Sequence, residues 1–164
     1  MAKSVGVGIM ELTTVFDNYR PDLVISIADR FETIATAIAA SYLNIPVAHI
    51  QGGEISGSID EKVRHAVTKL SSLHFVANEK AAQRVKRMGE NPSTVFVTGC
   101  PSIDLACEIK KDFRFMTTSY LFSRYGGTGG VISLEDDFLV VLQHPVTTEY
   151  EQAGCQMDAT LKAV

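Results

Sequence analysis

The chain has 164 residues, of which 46% are hydrophobic and 21% charged, and its formal net charge is −4. This composition is typical of a soluble globular protein with a sizeable core, and an acidic chain without a stripe of lysine and arginine argues against a nucleic-acid partner. No apolar run approaches the ~20 residues that cross a bilayer, so we predict no membrane contact and a cytoplasmic location.

Metal and disulfide frameworks are also not indicated. The three cysteines lack the paired spacing of a zinc ribbon or of a disulfide scaffold. His49, Glu54 and His65 are metal-ligating residue types, but their spacing matches no tight ligand motif. The sequence therefore predicts no metal site.

Apolar spacing along the chain predicts alternating strands and helices. The first helix covers residues 7–19, and four strand-loop-helix units follow: 23–28 with 31–43, 47–50 with 59–70, 73–77 with 79–88, and 95–98 with a helix to about 109. The apolar runs at 23–28 and 46–50 predict strands buried on both faces. The fold class is therefore α/β, with a partial Rossmann-like parallel sheet that carries helices on both faces.

The predicted domains follow from where this pattern stops. Residues 1–111 form an incomplete first Rossmann-like domain, and residues 112–137, with a short helix and a glycine run, form a linker. Residues 138–164 are the truncated start of a second Rossmann-like domain. It begins with a strand at 138–142 and continues with a helix capped by Thr148 and Glu151.

Polar residues follow the predicted strands at the edge where parallel sheets bind ligands. Asp29 and Arg30 follow the first strand, and Gln51 and Glu54 follow the second. Asp29 suits a general acid or base and equally a helix cap, while Arg30 suits phosphate binding and equally a surface salt bridge.

Other features near these strands are candidates for the same site. Gly52 and Gly53 would let backbone approach a ligand closely, and the run from Ser58 to Glu61 predicts a capping box that opens a helix. His144 follows the fifth predicted strand, where it could face a cleft between domains or serve packing. Four cations of one predicted helix are interpreted as a solvated face: Lys80, Arg84, Lys86 and Arg87.

Four motifs in order, "ADRFET", "AHIQGGEISGSIDEKVRHAVTKLSSLHF", "TGCPSID" and "LQHPVTTEYE", resemble the UDP-N-acetylglucosamine 2-epimerases. The resemblance covers nearly the whole chain and is strongest to the hydrolysing branch of sialic and legionaminic acid synthesis. It implies a two-domain enzyme of the GT-B type that binds a UDP-sugar between its domains and needs no cofactor. It also implies a homo-oligomer, a dimer, and a chain that is a fragment of the parent.

The resemblance also assigns roles to individual residues. The implied reaction removes the C2 proton, expels UDP and adds water, and this chemistry needs acid-base groups on the sugar. The implied catalytic residues are Asp29, Gln51, Asp60, Glu61 and His144, and the implied substrate-binding residues are Arg30, Gly52, Gly53, Glu54 and Arg64.

One position departs from the family pattern. Many relatives carry a glutamate where this chain has Gln51, and an amide cannot transfer a proton. Either Gln51 only orients the sugar while Glu54 or Asp60 transfers the proton, or this branch uses different chemistry. The alternative hypothesis is a non-catalytic module of the same fold that binds nucleotide sugars.

Overall fold

The computed structural model describes residues 1–27, 30–111, 118–130, 133, 136–146 and 148–164. Its helices and strands are α1 (Ala2–Tyr19), β1 (Val24–Ile27), α2 (Thr33–Tyr42), β2 (Val47–Ile50), α3 (Ile59–Lys69), β3 (Leu73–Val76), α4 (Glu79–Arg87), β4 (Val95–Val97), α5 (Pro101–Lys111), α6 (Thr118–Tyr125) and α7 (Ala153–Ala163). The predicted helices and strands up to α5 are confirmed, with bounds shifted by a few residues.

The strands form one parallel sheet in the order β1-β2-β3-β4. Each connection contains a helix, as parallel pairing requires, and this confirms the predicted α/β fold. Ser58 and Asn78 cap α3 and α4 through their side chains, and Gly89 ends the α4 turn at φ 93°. All four strands therefore end at the same edge, where the loops after them meet.

Helices α2, α3 and α4 pack on one face of this sheet. Val24 and Val47 contact Ala40 of α2, and Val76 packs with Val85 of α4. His49 on the same face bonds Thr68 of α3. The core therefore lies between these three helices and one side of the sheet.

The opposite face of β1 corrects one prediction. Ile25 and Ile27 are 58% and 57% exposed, so β1 is buried on one face only. Helix α2 packs on the other face of β1, where Val24 contacts Ala40, and β1 is an edge strand of the sheet. Strand β2, in contrast, is buried on both faces as predicted, since Val47 and His49 on one face and Ala48 on the other are each at most 2% exposed.

An ion-pair cluster lies at the amino end of β3, away from the ligand edge. His74 is fully buried, and its Nε2 lies 3.3 Å from a Glu90 carboxylate oxygen. Lys69 at the end of α3 pairs with the same carboxylate and donates to the Met88 carbonyl oxygen at 3.1 Å. Burial lowers the pKa of His74, and the Glu90 charge only partly opposes this effect.

The chain divides into two compact units, Met1–Asp104 and Leu105–Val164. In the second unit, the predicted short helix is found as α6, but the predicted strand at 138–142 is wrong. These residues have no regular secondary structure, and Leu139, Val140 and Leu142 are about four-fifths exposed. The division into first domain, linker and second domain stays a prediction.

The predicted cap of the last helix is also wrong. A 3-10 turn covers Tyr150–Gln152, and α7 starts only after it, with Gln152 at its N-cap and no capping bond from a side chain. The start of the helix is therefore set by this turn and not by Thr148. Of the described helices, none is long and apolar enough to cross a membrane.

Candidate functional site at the carboxyl edge of the sheet

The loops after β1, β2 and β4 supply the polar groups at the carboxyl edge. Arg30 follows β1, Gln51 follows β2 and Cys100 follows β4. Asp29, the predicted acid or base, lies outside the described residues, so its role stays a prediction.

Gln51 joins two of these loops. Its backbone N–H donates to the Phe75 carbonyl oxygen at 2.8 Å, which extends the β2-β3 ladder, and its Nε2 lies 3.2 Å from Cys100 Sγ. Its φ is +65°, in the left-handed region that costs a non-glycine residue about 1–2 kcal/mol. The backbone is thus held in an unfavourable conformation at the edge where ligands bind, as is common at functional sites.

Gly52 and Gly53 are buried, and packing explains why both are glycine. A Cβ on Gly52 would lie 2.9 Å from His49 Nδ1, and a Cβ on Gly53 would lie 2.5 Å from the Ala81 carbonyl oxygen. Gly53 also has a φ of +78°, which glycine adopts without cost. Both glycines therefore pack closely against the protein interior, and their contact with substrate stays a prediction.

His49 forms the floor beneath Gly52. Its Nδ1 lies 3.1 Å from Thr68 Oγ1, and the single hydroxyl hydrogen of Thr68 is donated to the Arg64 carbonyl oxygen at 3.0 Å. The Thr68 hydroxyl thus joins the His49 ring to the backbone of α3. This bond fixes the imidazole between β2 and α3 and supports the loop from below.

Two arginines hold the same loop from two helices. Arg64 of α3 donates from Nη1 to the Glu54 carbonyl oxygen at 2.8 Å, and Arg84 of α4 donates from Nη1 to the Gly53 carbonyl oxygen at 3.0 Å. Arg64 is 5% exposed and Arg84 is half-buried. The interpretation of Arg84 as part of a solvated face is therefore wrong, whereas Lys80, Lys86 and Arg87 are exposed as expected.

The two adjacent carboxylates at the start of α3 have different environments. Glu61 Oε2 accepts from the Ser56 and Gly57 N–H groups at 2.8 and 2.7 Å. These bonds, that of Gly57 first, lower the pKa of Glu61. Asp60 is half-buried and bonds Ser58 through its own N–H and through its carboxylate, at 3.2 Å each.

This arrangement modifies the predicted capping box. Ser58 is the N-cap, as expected, but it bonds the N–H of Asp60 and not that of Glu61. Glu61 reaches back beyond the cap to the loop at Ser56 and Gly57. Glu61 thus organises the loop, while the Asp60 carboxylate lies at a helix N-terminus that favours negative charge.

Arg30 is exposed and paired with Glu32. Its Nε and Nη2 donate to the two carboxylate oxygens of Glu32 at 3.2 and 2.8 Å. The hydrogen bond and charge of Glu32 raise the pKa of Arg30, and the charge of Asp60 adds to this effect. The surface salt bridge is therefore present, and Arg30 is also near enough to Asp60 for the two charges to interact.

His144 belongs to the second unit. It is exposed and lies in a segment without regular secondary structure. The neighbouring Gln143 accepts a hydrogen bond from Thr160 of α7, which ties this segment to that helix. The predicted role of His144 beside a diphosphate stays a prediction.

Comparison with known proteins places these residues in a family context. The family model "UDP-N-acetylglucosamine 2-epimerase" matches residues 1–164. A UDP-N,N'-diacetylbacillosamine 2-epimerase (hydrolyzing) of Legionella pneumophila is 40% identical over 163 residues, which are 99% of this chain and 41% of that protein. The chain thus spans about two fifths of the length of the curated relatives it matches.

Solved structures show the same similarity. The Neisseria meningitidis UDP-GlcNAc 2-epimerase bound to UDP-GlcNAc has a TM-score of 0.61 and 29% identity, over 67% of this chain and 32% of that one. The Methanocaldococcus jannaschii UDP-GlcNAc 2-epimerase in complex with UDP-GlcNAc and UDP has a TM-score of 0.65 and 27% identity, over 73% and 34%. The described sheet is therefore part of a larger fold in these proteins.

Proposed function

Because the chain belongs to the UDP-N-acetylglucosamine 2-epimerase family, we propose that it forms one wall of the active site of a hydrolysing 2-epimerase. The substrate class is a UDP-linked N-acetylhexosamine, either unmodified or modified like the bacillosamine that names the Legionella relative. The observation that carries the proposal is the charge arrangement at one sheet edge. Asp60 lies at the N-terminus of α3 and its charge acts on Arg30, and the strained Gln51 lies in the loop after β2 at the same edge of the sheet.

The proposed reaction has two steps. A base takes the proton from C2, the C–H electrons form a C1–C2 double bond, and the C1–O bond breaks so that UDP leaves with its electron pair. Water then adds its hydroxyl to C1, and a proton returns to C2 on the opposite face, which gives the free 2-epimeric sugar. Both steps need positioned acid-base groups, which typically contribute ~10²–10⁴-fold in rate.

We assign the first of these groups to Asp60. Glu61 is engaged by two backbone N–H groups that hold it ionised, so it is poorly suited to exchange a proton during turnover. Gln51 has an amide and orients the sugar. Asp29 remains the second predicted acid-base group, and Arg30 and His144 are proposed to contact the substrate and its diphosphate.

The assembly and surroundings follow the family proposal. We propose that UDP-sugar binds between this wall and a second domain, in a cytoplasmic homodimer, without a metal or other cofactor. The segment from 138 to 164 would supply His144 from the second domain. Each of these points is supported by the sequence resemblance to the family.

The experiment uses the protein expressed from the full reading frame that contains this chain. UDP-GlcNAc and UDP-N,N'-diacetylbacillosamine are supplied in D₂O, UDP release is followed, and NMR detects deuterium at C2 of the product. Asp60→Asn should lower turnover by ~10²-fold or more, whereas Glu61→Gln should retain turnover within ~10-fold. Equal losses in the two variants would contradict the assignment to Asp60.

A second candidate function is a non-catalytic module that binds nucleotide sugars. It is favoured by Gln51, whose amide is bonded to Cys100 at a position where a carboxylate would be needed for proton transfer. The same experiment separates the two. UDP-sugar binding by calorimetry without UDP release or deuterium incorporation would support the binding module and reject the enzyme.

A further inference from the structure

Arginines of two different helices donate hydrogen bonds to the loop after β2. The consecutive carbonyl groups of Gly53 and Glu54 accept from guanidinium groups of different helices, Arg84 of α4 and Arg64 of α3. Arg84 lies 31 residues from its partner in sequence. The contact therefore ties the edge loop of β2 to a helix that follows β3.

The loop after β2 packs closely against one face of α4. Gly53 lies so close to this helix that an added Cβ would be 2.5 Å from the Ala81 carbonyl oxygen and 2.8 Å from Val85 Cγ2. Ala81 and Val85 are fully buried, and Arg84 lies on the same side of the helix, one turn after Ala81. Steric contact thus sets the distance of the loop from α4, and the guanidinium sets its orientation.

The loop needs such support because its first residue is strained. Gln51 has a φ of +65°, and its side chain bonds Cys100 on the loop after β4. A strained conformation persists only where surrounding contacts over-determine it. A hydrogen bond from a charged donor to a part-buried carbonyl is one of the stronger contacts of this kind.

We propose that Arg84 is a positioning residue that holds the Gln51–Glu54 loop in its site-forming conformation without contacting the substrate. The proposal deepens the proposed function, because this loop carries two of the predicted site residues, Gln51 and Glu54. Its structural part is independent of that function. It states that removing the Arg84 guanidinium releases the loop while the rest of the sheet stays folded.

The first test measures amide hydrogen exchange by NMR in the 164-residue chain. Arg84→Met keeps the aliphatic length and removes the donors, and Arg87→Met is the matched control on the exposed side of α4. The Gln51 amide, bonded to the Phe75 carbonyl oxygen, reports the loop, and the Val24 amide, bonded to the Pro46 carbonyl oxygen, reports the sheet.

We expect Arg84→Met to raise exchange of the Gln51 amide by about tenfold or more, since a hydrogen bond from a charged donor changes an equilibrium constant by at least about tenfold. Val24 should be unchanged, Arg87→Met should have no effect, and Arg84→Lys should restore protection in part. Unchanged loop exchange overturns the proposal. An equal rise at Val24 also overturns it, because Arg84 would then stabilise the whole unit.

Alkylation of Cys100 is an independent readout of the same loop. Cys107→Ser and Cys155→Ser remove the two exposed thiols, so that iodoacetamide reports only the half-buried Cys100 next to Gln51. Arg84→Met should speed its alkylation several-fold, and Arg87→Met should not. A rate that is the same in both variants would show that the Gln51–Cys100 contact does not depend on Arg84.

The last test is kinetic and uses the protein from the full reading frame. Arg84→Met should raise KM for the UDP-sugar and lower kcat/KM by about tenfold, with an unchanged pH profile and partial rescue by Arg84→Lys. A lower kcat at unchanged KM, together with a smaller fraction of folded, active enzyme, would overturn the positioning role. If the unsubstituted protein has no turnover, the proposed function fails, whereas exchange and alkylation still decide the role of Arg84.

Discussion

Replacing Gly53 by alanine tests whether the loop after β2 is seated rigidly on α4. The new Cβ would lie 2.5 Å from the Ala81 carbonyl oxygen and 2.8 Å from Val85 Cγ2. Ala81 is in the first turns of α4, so its carbonyl cannot move far without disturbing the helix. The φ of +78° adds about 1–2 kcal/mol for an L-residue, and the overpacking adds about 1–3 kcal/mol.

The expected loss in the free energy of unfolding is therefore about 2–5 kcal/mol, a large part of the ~5–15 kcal/mol of an ordinary domain. Gly57→Ala is the matched control. Gly57 has a similar φ of +71°, but nothing lies within 4 Å of its added Cβ, so only the backbone cost of about 1–2 kcal/mol applies. The Gly57 N–H that bonds Glu61 is retained in this control.

The assay is urea unfolding of the two variants and the parent chain, followed by circular dichroism. The midpoint shift multiplied by the common slope gives the loss in the free energy of unfolding for each variant. The difference between the two variants measures the cost of the steric contact between residue 53 and α4. A difference of about 1–3 kcal/mol is expected. Equal losses would show that the loop can lift from α4 at no cost, and the rigid seat would be refuted.

Two further predictions concern pH. Burial lowers the pKa of His74 below the ordinary 6.5, so the unfolded chain takes up a proton at a higher pH than the folded chain does. The free energy of unfolding should therefore fall as the pH drops below about 6.5. Urea unfolding between pH 7 and 5 tests this, and His74→Gln should make the free energy less dependent on pH. The pKa of Glu61 is lowered from 4.5 by the Gly57 and Ser56 N–H groups, so its stabilisation is present above pH 4.5 and lost as pH falls through the lowered value. Glu61→Gln should therefore reduce the urea midpoint more at pH 7 than at pH 3, and an equal reduction at both would contradict the role of the carboxylate.

Local signals were sufficient for most of the first unit. Strand β2 and helices α3 and α4 have clear starts, because an apolar run ends in polar residues and Ser58 or Asn78 supplies a cap. The burial of β1 could not be obtained in this way. Its sequence does not show that α2 packs on the Val24 face, nor that Ile25 and Ile27 on the opposite face are exposed.

The second unit shows the limit of local patterns. The run from Phe138 to Leu142 has the composition of a strand, yet a strand also needs a partner for its backbone groups. Within the described residues this run pairs with no strand, and its side chains are largely exposed. Composition therefore indicated a preference for strand, and the local pattern does not show whether a pairing partner is available.

The sequence was sufficient to predict which residues lie at the candidate site, but not which hydrogen bonds hold them in place. The positions of Arg30, Gln51 and Asp60 follow from the rule that loops after parallel strands share one edge. The role of Arg84 was missed because a charged residue on an amphipathic helix does not reveal from the sequence whether its side chain bonds a carbonyl group of another loop. The available signal was the pair Gly52-Gly53, since buried glycine backbone needs a close partner and donors for its carbonyl groups.

The structure also narrows the acid-base chemistry proposed for this site. Inversion at C2 takes a proton from one face and returns a proton to the other, so two separate groups are needed. Of the carboxylates assigned as catalytic from the sequence, Glu61 is bonded to two backbone N–H groups. Gln51 brings only an amide. Asp60 at the start of α3 and the predicted Asp29 are therefore the two carboxylates that we propose act on the opposite faces of C2.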